Sequence, residues 1–297
     1  MRSISVQTYK NIEVIISDDS PGTETRLVAE QFPGLNIRYH HNKPARKSPA
    51  NWNFALDQAS GELLMLLHQD DWLHTSETIS QFVNSFNDPK VDFVFCKNIG
   101  QDTTGAIIPF QDSDSIPDLQ TWPDYLVIRC VIGPPSNVMV RREVPVRYDE
   151  QLIWLVDVDY YIRLIKSGHH FEYLKKHLVT IGIHEDQTTE YVRSNNAIIL
   201  KENVYVLNKI GAHGLRRISL YDYYWRLMRN FGITSIQEVT RRGVAEESVP
   251  PVLRHMIDLQ KRIPPKVLKF GAASKSLMAW SYFTWHLRSS SAAKQSF

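Results

Sequence analysis

Between residues 11 and 168, short apolar runs alternate with stretches whose apolar positions recur at helical spacing. Residues 11–17 (NIEVIIS) form a β-branched run closed by Asp18, Asp19, Ser20, Pro21 and Gly22, which predicts a buried strand entering a polar turn. The pattern then predicts a helix over 23–31 and a strand over 37–40. A second helix follows over 48–59, with Ser48 as N-cap, Pro49 in its first position and Gly61 as its stop. Residues 62–67 (ELLMLL) read as a third strand that ends directly on His68, Gln69, Asp70 and Asp71. A helix over 76–86, a strand over 91–96, a polar surface excursion over 100–123, a strand over 137–140 after Pro134 and Pro135, and a helix over 157–167 ending at Gly168 complete this region. Beyond about Glu190 the alternation gives way to helical segments broken at 211–214, at Pro250 and Pro251, and at Pro264 and Pro265. Strands alternating with helices predict an α/β fold with a mixed, mostly parallel sheet flanked by helices, and a C-terminal helical appendage. In such sheets ligands gather at the carboxyl ends of strands, where both acidic pairs fall.

Composition divides the chain the same way. At 43% hydrophobic, its 297 residues suffice for one large α/β core of about 200 residues and a smaller appendage. The net charge of +2 conceals an asymmetry: residues 1–200 carry 18 Lys and Arg against 26 Asp and Glu, and residues 201–297 carry 16 against 6. The acidic region calls for a cation. In the basic region Tyr221, Tyr223, Tyr224, Trp225, Trp280, Tyr282, Phe283 and Trp285 interleave with Lys and Arg, which suits an anionic membrane surface and not nucleic acid. Two cysteines, Cys96 and Cys130, make neither a disulfide framework nor a zinc site, and residues 276–287 fall short of the roughly 20 that span a bilayer. The expectation is a cytoplasmic protein, peripheral on the inner face of the cell membrane, with a domain boundary near 190/191.

His68, Asp70 and Asp71 group one imidazole with two hard oxygen donors, a set that can hold Mg²⁺ or Mn²⁺ against a diphosphate. Taken alone, paired aspartates at a strand end form caps and turns more often than metal sites. Asp18 and Asp19 at the end of another strand bring a second acidic pair to the same edge. No Gly-rich, Lys-containing phosphate loop is present near the N-terminus, which argues against a nucleotidyltransferase.

The segments QTYKNIEVIISDDSPG, SPANWNFALDQASGELLMLLHQDDWL, SNVMVRREV and YDEQLIWLVDVDYYIRLIKSG, in this order and spacing, resemble the GT-A fold of glycosyltransferase family 2 across about residues 3–190. The resemblance implies that Asp18 and Asp19 contact the base and ribose of a nucleotide-sugar donor, a UDP- or dTDP-sugar. It implies that Asn51, with Asn53 on the same helix, faces the nucleotide, and that Arg141, beside Arg142, steers phosphate. His68 to Asp71 fall on the family's metal-binding DXD element, with His68 in place of its first acid. Asp157 falls on the catalytic base of an inverting transfer, Asp159 and Arg163 on its supporting positions, and His184 on a loop histidine that touches metal or diphosphate. Trp154 is a candidate platform for a glycan or polyprenyl-linked acceptor. The resemblance further implies that the family's first apolar strand and most of its first helix lie outside this sequence. Two readings follow: an active sugar transferase, and a truncated relic that binds nucleotide-sugar without catalysis.

Overall fold

The computed structural model describes residues 1–108, 116–185 and 187–294, with side chains described as far as Leu287. Residues 109–115 of the expected excursion lie outside the described residues. Backbone contacts divide the chain into two compact units, one of Met1–Leu126 with Cys130–Gln187 and one of Val127–Arg129 with Thr188–Phe297.

The first unit holds all eight strands among the described residues: β1 (Glu13–Asp18), α1 (Glu24–Glu30), β2 (Asn36–His41), α2 (Ala50–Gln58), β3 (Leu63–Met65), β4 (Asp71–Leu73), α3 (Thr78–Ser85), β5 (Phe93–Asp102), β6 (Ile107–Ile108), β7 (Val138–Arg141), α4 (Val156–Lys166) and β8 (Phe171–Ile183). β1 and β2 run parallel in a sheet of their own, with Val14 opposite Ile37 and Asp18 opposite His41. The other six strands form a mixed sheet in the order β3, β7, β5, β8, β4, with β6 paired to β5. The α/β class with flanking helices stands. Parallel pairing is narrower than the alternation of elements predicts, because within the larger sheet only β5 and β8 run parallel among the described residues. The carboxylate of Glu13 ties β1 to the approach to β3, accepting from the hydroxyl of Ser60 at 2.9 Å and the N–H of Gly61 at 2.7 Å.

One face of the larger sheet is sealed by α3, which lays Phe82 and Phe86 against Val94, Cys96, Met139, Leu178 and Val179. Apolar burial of this kind, worth about 25 cal/mol per Å², fixes the strands whose ends carry the polar turns. Three elements differ from expectation. α2 begins at Ala50 with Pro49 in the capping position and no side-chain cap, so Ser48 is not its N-cap. The strand expected over 62–67 is cut to Leu63–Met65, and Asp71 opens β4 instead of closing β3. β8, thirteen residues long, was not predicted: its Lys175, Lys176 and His177 are exposed and break the apolar run before the buried stretch 178–182.

The second unit is helical, with α5 (Asn196–Ile210), α6 (Ile218–Asn230), α7 (Pro251–Lys261), α8 (Pro265–Lys269) and α9 (Gly271–Lys294) as its main elements. Asn195 caps α5 by accepting from the N–H of Ala197, and Gly211 ends it at φ 82°, a conformation natural to glycine. Pro251 and Pro265 each open a helix, where a missing N–H costs nothing. Tyr221, Tyr224 and Trp225 are fully buried in this unit. They are therefore core residues, whereas Trp280 and Phe283 of the same aromatic set are exposed. No helix among the described residues is long and apolar enough to cross a membrane.

Candidate functional site

The turn after β1 is built from saturated carboxylates. Asp18 is buried and accepts from the N–H of Ser20 at 2.9 Å and the hydroxyl of Tyr39 at 2.6 Å. Burial pushes its carboxyl up, but these hydrogen bonds outweigh it and hold Asp18 below the usual range. Reciprocally, donation to Asp18 pushes the Tyr39 hydroxyl up to about 12. Asp19 accepts from the Asn42 amide at 2.9 Å and from the N–H groups of Arg46 at 3.1 Å and Lys47 at 2.7 Å, fastening the 42–47 loop. Asn51 joins this network, donating to the carbonyl of Ser17 at 3.1 Å while its own oxygen accepts from the Ser17 hydroxyl and from Asn42. Asp18, Asp19 and Asn51 thus meet in one hydrogen-bonded corner. Asn53 faces elsewhere, bonded to the backbone of Tyr148 and to Glu150.

The turn after β3 has the opposite character. Ligand atoms of His68, Asp70 and Asp71 lie within 4.8 Å of one another. The His68 ring rests on Trp52 at 5.0 Å between centroids, and Trp52 meets Tyr148 edge-on at 5.3 Å. His68 Nδ1 lies 3.9 Å from Asp71 Oδ2, while its Nε2 is buried with no hydrogen-bond partner among the described residues. Burial lowers the pKa of the imidazole, favouring the neutral form that can donate a lone pair to a metal. Asp71 is buried and its carboxyl is pushed up to about 7, first by burial and then by neighbouring Asp70, against the pull of hydrogen bonds from Ser136 and Gly182. Asp70 Oδ2 is hydrogen-bonded to His184 Nε2 at 3.1 Å, and Gln187 donates to the carbonyl of Gly182 at 2.6 Å beside it. Among the described residues the ion-pair partners of Asp70 and Asp71 are histidines, with no Lys or Arg.

Three supporting residues carry no signal in the local pattern. Ser136, fully buried, accepts from the N–H of His68 at 3.0 Å and hydrogen-bonds Asp71, locking both to the helical turn (Pro135–Asn137) that leads into β7. Trp52 holds the His68 ring. Gly182 of β8 donates its N–H to the carbonyl of Asp70 at 3.1 Å, and a Cβ there would lie 2.2 Å from that oxygen, so only glycine permits the approach.

Asp157 stands half-buried in the first turn of α4, its Oδ1 accepting from the N–H of Val158 at 2.7 Å. Burial pushes the Tyr148, Tyr161 and Cys130 groups up, and the charge of Asp157 adds to the rise in all three, directly after burial for Cys130 and after a neighbouring tyrosine for the other two. Asp159 is buried and paired with Arg163 at 2.7 Å, and Arg163 also donates to the carbonyl of Arg147 at 2.7 Å. A chain of rings from His68 through Trp52 and Tyr148 to Tyr160, stacked on Tyr148 at 4.2 Å, connects the metal-type cluster to α4. Trp154 is half-buried just before that helix.

Arg141 is a correction. β7 runs antiparallel to β3 and sets Arg141 opposite Leu63, at the start of β3 and away from the turn that follows it. There its guanidinium donates to the carbonyls of Val91 at 2.7 Å and Phe86 at 2.9 Å, closing the end of α3, and it does not join the acidic turns.

Residues 1–144 match the model of the family described as glycosyl transferase family 2. With the fold and the polar turns above, the match identifies residues 1–144, just under half of the chain, as a glycosyltransferase family 2 domain with the GT-A fold. Among characterised proteins it is similar to the amylovoran biosynthesis glycosyltransferase AmsB of Erwinia amylovora, 23% identical over 231 residues that make up 74% of each chain. It is also similar to the GalNAc(5)-diNAcBac-PP-undecaprenol β-1,3-glucosyltransferase of Campylobacter jejuni, 38% identical over 76 residues, 25% of each chain. Among solved structures, S. aureus TarS (1–349) in complex with UDP-GlcNAc superposes with a TM-score of 0.60 at 14% identity, covering 96% of this chain and 86% of that one.

Proposed function

We propose that this protein moves a sugar, with inversion, from a nucleotide-sugar donor to a hydroxyl of a glycan or polyprenyl-linked acceptor, in cell-surface polysaccharide synthesis at the cytoplasmic side of the membrane. The observation that carries the reading is the turn after β3: three donors gathered within 4.8 Å and, among the described residues, a buried imidazole nitrogen without a hydrogen-bond partner and two carboxylates with no Lys or Arg in ion-pair reach. This donor set fits a hard divalent cation. Mg²⁺ or Mn²⁺ held by His68, Asp70 and Asp71 would neutralise charge developing on the departing nucleoside diphosphate. His184 orients Asp70 and stands ready to contact the diphosphate. The corner of Asp18, Asp19 and Asn51 receives base and ribose, its geometry set in advance by Tyr39 and Asn42.

Asp157 takes the proton of the acceptor hydroxyl as that oxygen attacks the anomeric carbon; the bond from that carbon to the diphosphate breaks and its electron pair leaves with the nucleoside diphosphate. Asp159 serves Asp157 by position, since its own charge is committed to Arg163. The names of the relatives support the classes of donor and acceptor: UDP-GlcNAc is bound in TarS, the Campylobacter enzyme is named for a PP-undecaprenol-linked glycan, and AmsB for biosynthesis of amylovoran.

The test is Asp157→Asn, which keeps the shape of the side chain and removes the proton acceptor. Single-turnover transfer from a panel of UDP- and dTDP-sugars to polyprenyl-linked glycans is expected to fall by about 10² to 10⁴, with donor affinity retained. Transfer by the variant at the wild-type rate would place the base elsewhere.

A further inference from the structure

α9 has two apolar faces, and the core uses one. Ser274, Met278 and Ser281 are buried, with Trp225 Nε1 donating to Ser274 Oγ at 3.2 Å and the hydroxyls of Tyr221 and Ser281 bonded at 2.7 Å. At the helical step of about 100° per residue, Trp280, Phe283 and Leu287 fall together on the opposite side. They are 55%, 60% and 69% exposed, and Phe270, just ahead of the helix, is 66% exposed. Scattered single apolar residues on a surface need no explanation, but an aligned stripe of large ones marks a contact. Lys266, Lys269 and Lys275 are exposed on α8 and the first turns of α9.

We propose that α8 and α9 form the face by which this protein lies on an anionic lipid bilayer, with Phe270, Trp280, Phe283 and Leu287 entering the headgroup region and Lys266, Lys269 and Lys275 meeting lipid charge. Charge selects this occupant. Residues 201–297 carry ten more basic than acidic residues, so a second copy of the same face meets like charge, whereas an anionic leaflet is complementary. A water-soluble polyanion would satisfy the lysines and leave the apolar stripe in water. Trp and Phe opposite a packed face, on a helix too polar to span, describe a helix that lies in the interface. The inference uses the second unit alone, and it holds or fails separately from sugar transfer; where both hold, the enzyme works at the phase that contains a lipid-linked acceptor.

The full chain is sedimented with phosphatidylcholine vesicles, with and without phosphatidylglycerol, across a salt series. Binding to the anionic vesicles is expected, weakening at least tenfold as salt rises from about 0.05 to 0.5 M. Replacing Trp280, Phe283 and Leu287 together by Ser is expected to weaken binding at least about tenfold at every salt concentration. Lys→Gln at Lys266, Lys269 and Lys275 is expected to cost about fivefold each on anionic vesicles alone. Unchanged thermal unfolding and unchanged UDP binding by calorimetry certify the variants, and if the triple variant does not fold, the lipid and salt dependence of the unmodified chain decides. No binding at low salt, equal binding by the folded triple variant, or a dimer in lipid-free sedimentation velocity that the triple variant splits would each overturn the proposal.

Discussion

The turn after β1 and the turn after β3 each set two adjacent aspartates near the end of a strand, and the protein treats them in opposite ways. Around Asp18 and Asp19, backbone N–H groups, a tyrosine hydroxyl and an amide donate to the carboxylates and satisfy them. At the other turn Asp71 is buried beside a neutral imidazole, and burial first and the neighbouring charge of Asp70 after it push its carboxyl up to about 7. One corner is a finished scaffold. The other is an electrostatic debt that a divalent cation would settle. A shared sequence signature therefore separates into two roles only when the partners of each carboxylate are known.

Substitutions can break this contrast, beginning with the largest expected effect. His184→Ala removes the residue that holds Asp70, and loss of such an orienting partner typically lowers metal affinity about 10- to 100-fold. Calorimetric titration of UDP in the presence of Mn²⁺ is expected to show that loss, with binding in chelator unchanged. An equal loss in both conditions would make His184 a nucleotide contact independent of metal. The stability of the metal-free protein provides the next test. Asp19→Ala leaves the donors of Asn42, Arg46 and Lys47 without their acceptor and is expected to destabilise by about 2–3 kcal/mol. Asp71→Asn removes a buried charge and is expected to be neutral or stabilising in chelator. Urea unfolding of the two variants checks the pair, and equal destabilisation would erase the distinction between the corners.

The smallest effect concerns Tyr39→Phe. Because the folded-state value of Asp18 is depressed, its contribution to stability is present above the unfolded carboxyl value and is lost as pH falls through the folded value. Removing the Tyr39 hydroxyl is expected to cost about 1–2 kcal/mol at neutral pH, with the difference from wild type shrinking in acid. Urea unfolding at neutral pH and near pH 3 measures it, and a difference that grows in acid would contradict the assignment.

Much of the fold was legible because its cause is local. β1 is a short β-branched run closed by a polar turn, β2 alternates exposed polar residues with Ile37 and Tyr39, and α3 and α4 show helical spacing of buried residues, so pattern alone placed them. The acidic corners were legible for the same reason, as consecutive residues closing apolar runs. What escaped the pattern is long-range. Gly182 meets Asp71 across 111 positions and Ser136 meets His68 across 68, distances at which no periodicity carries information. β8 was hidden by the exposed lysines in its first half, and the place of Arg141 depends on β7 running antiparallel to β3, which strand order alone reveals. The aromatic tail misled in part: Tyr221, Tyr224 and Trp225 have the same residue chemistry as the exposed Trp280 but pack inside the helical unit.

The central claim is that the His68, Asp70 and Asp71 corner binds a divalent cation and the Asp18 and Asp19 corner does not. Direct titration of Mn²⁺ into the purified chain, followed by electron paramagnetic resonance of the free ion, tests it with three proteins: wild type, Asp70→Asn and Asp19→Asn. The account predicts one bound Mn²⁺ per chain in wild type and in Asp19→Asn, and a loss of at least about tenfold in affinity in Asp70→Asn. Retention of the ion by Asp70→Asn, or its loss in a folded Asp19→Asn, would contradict the account.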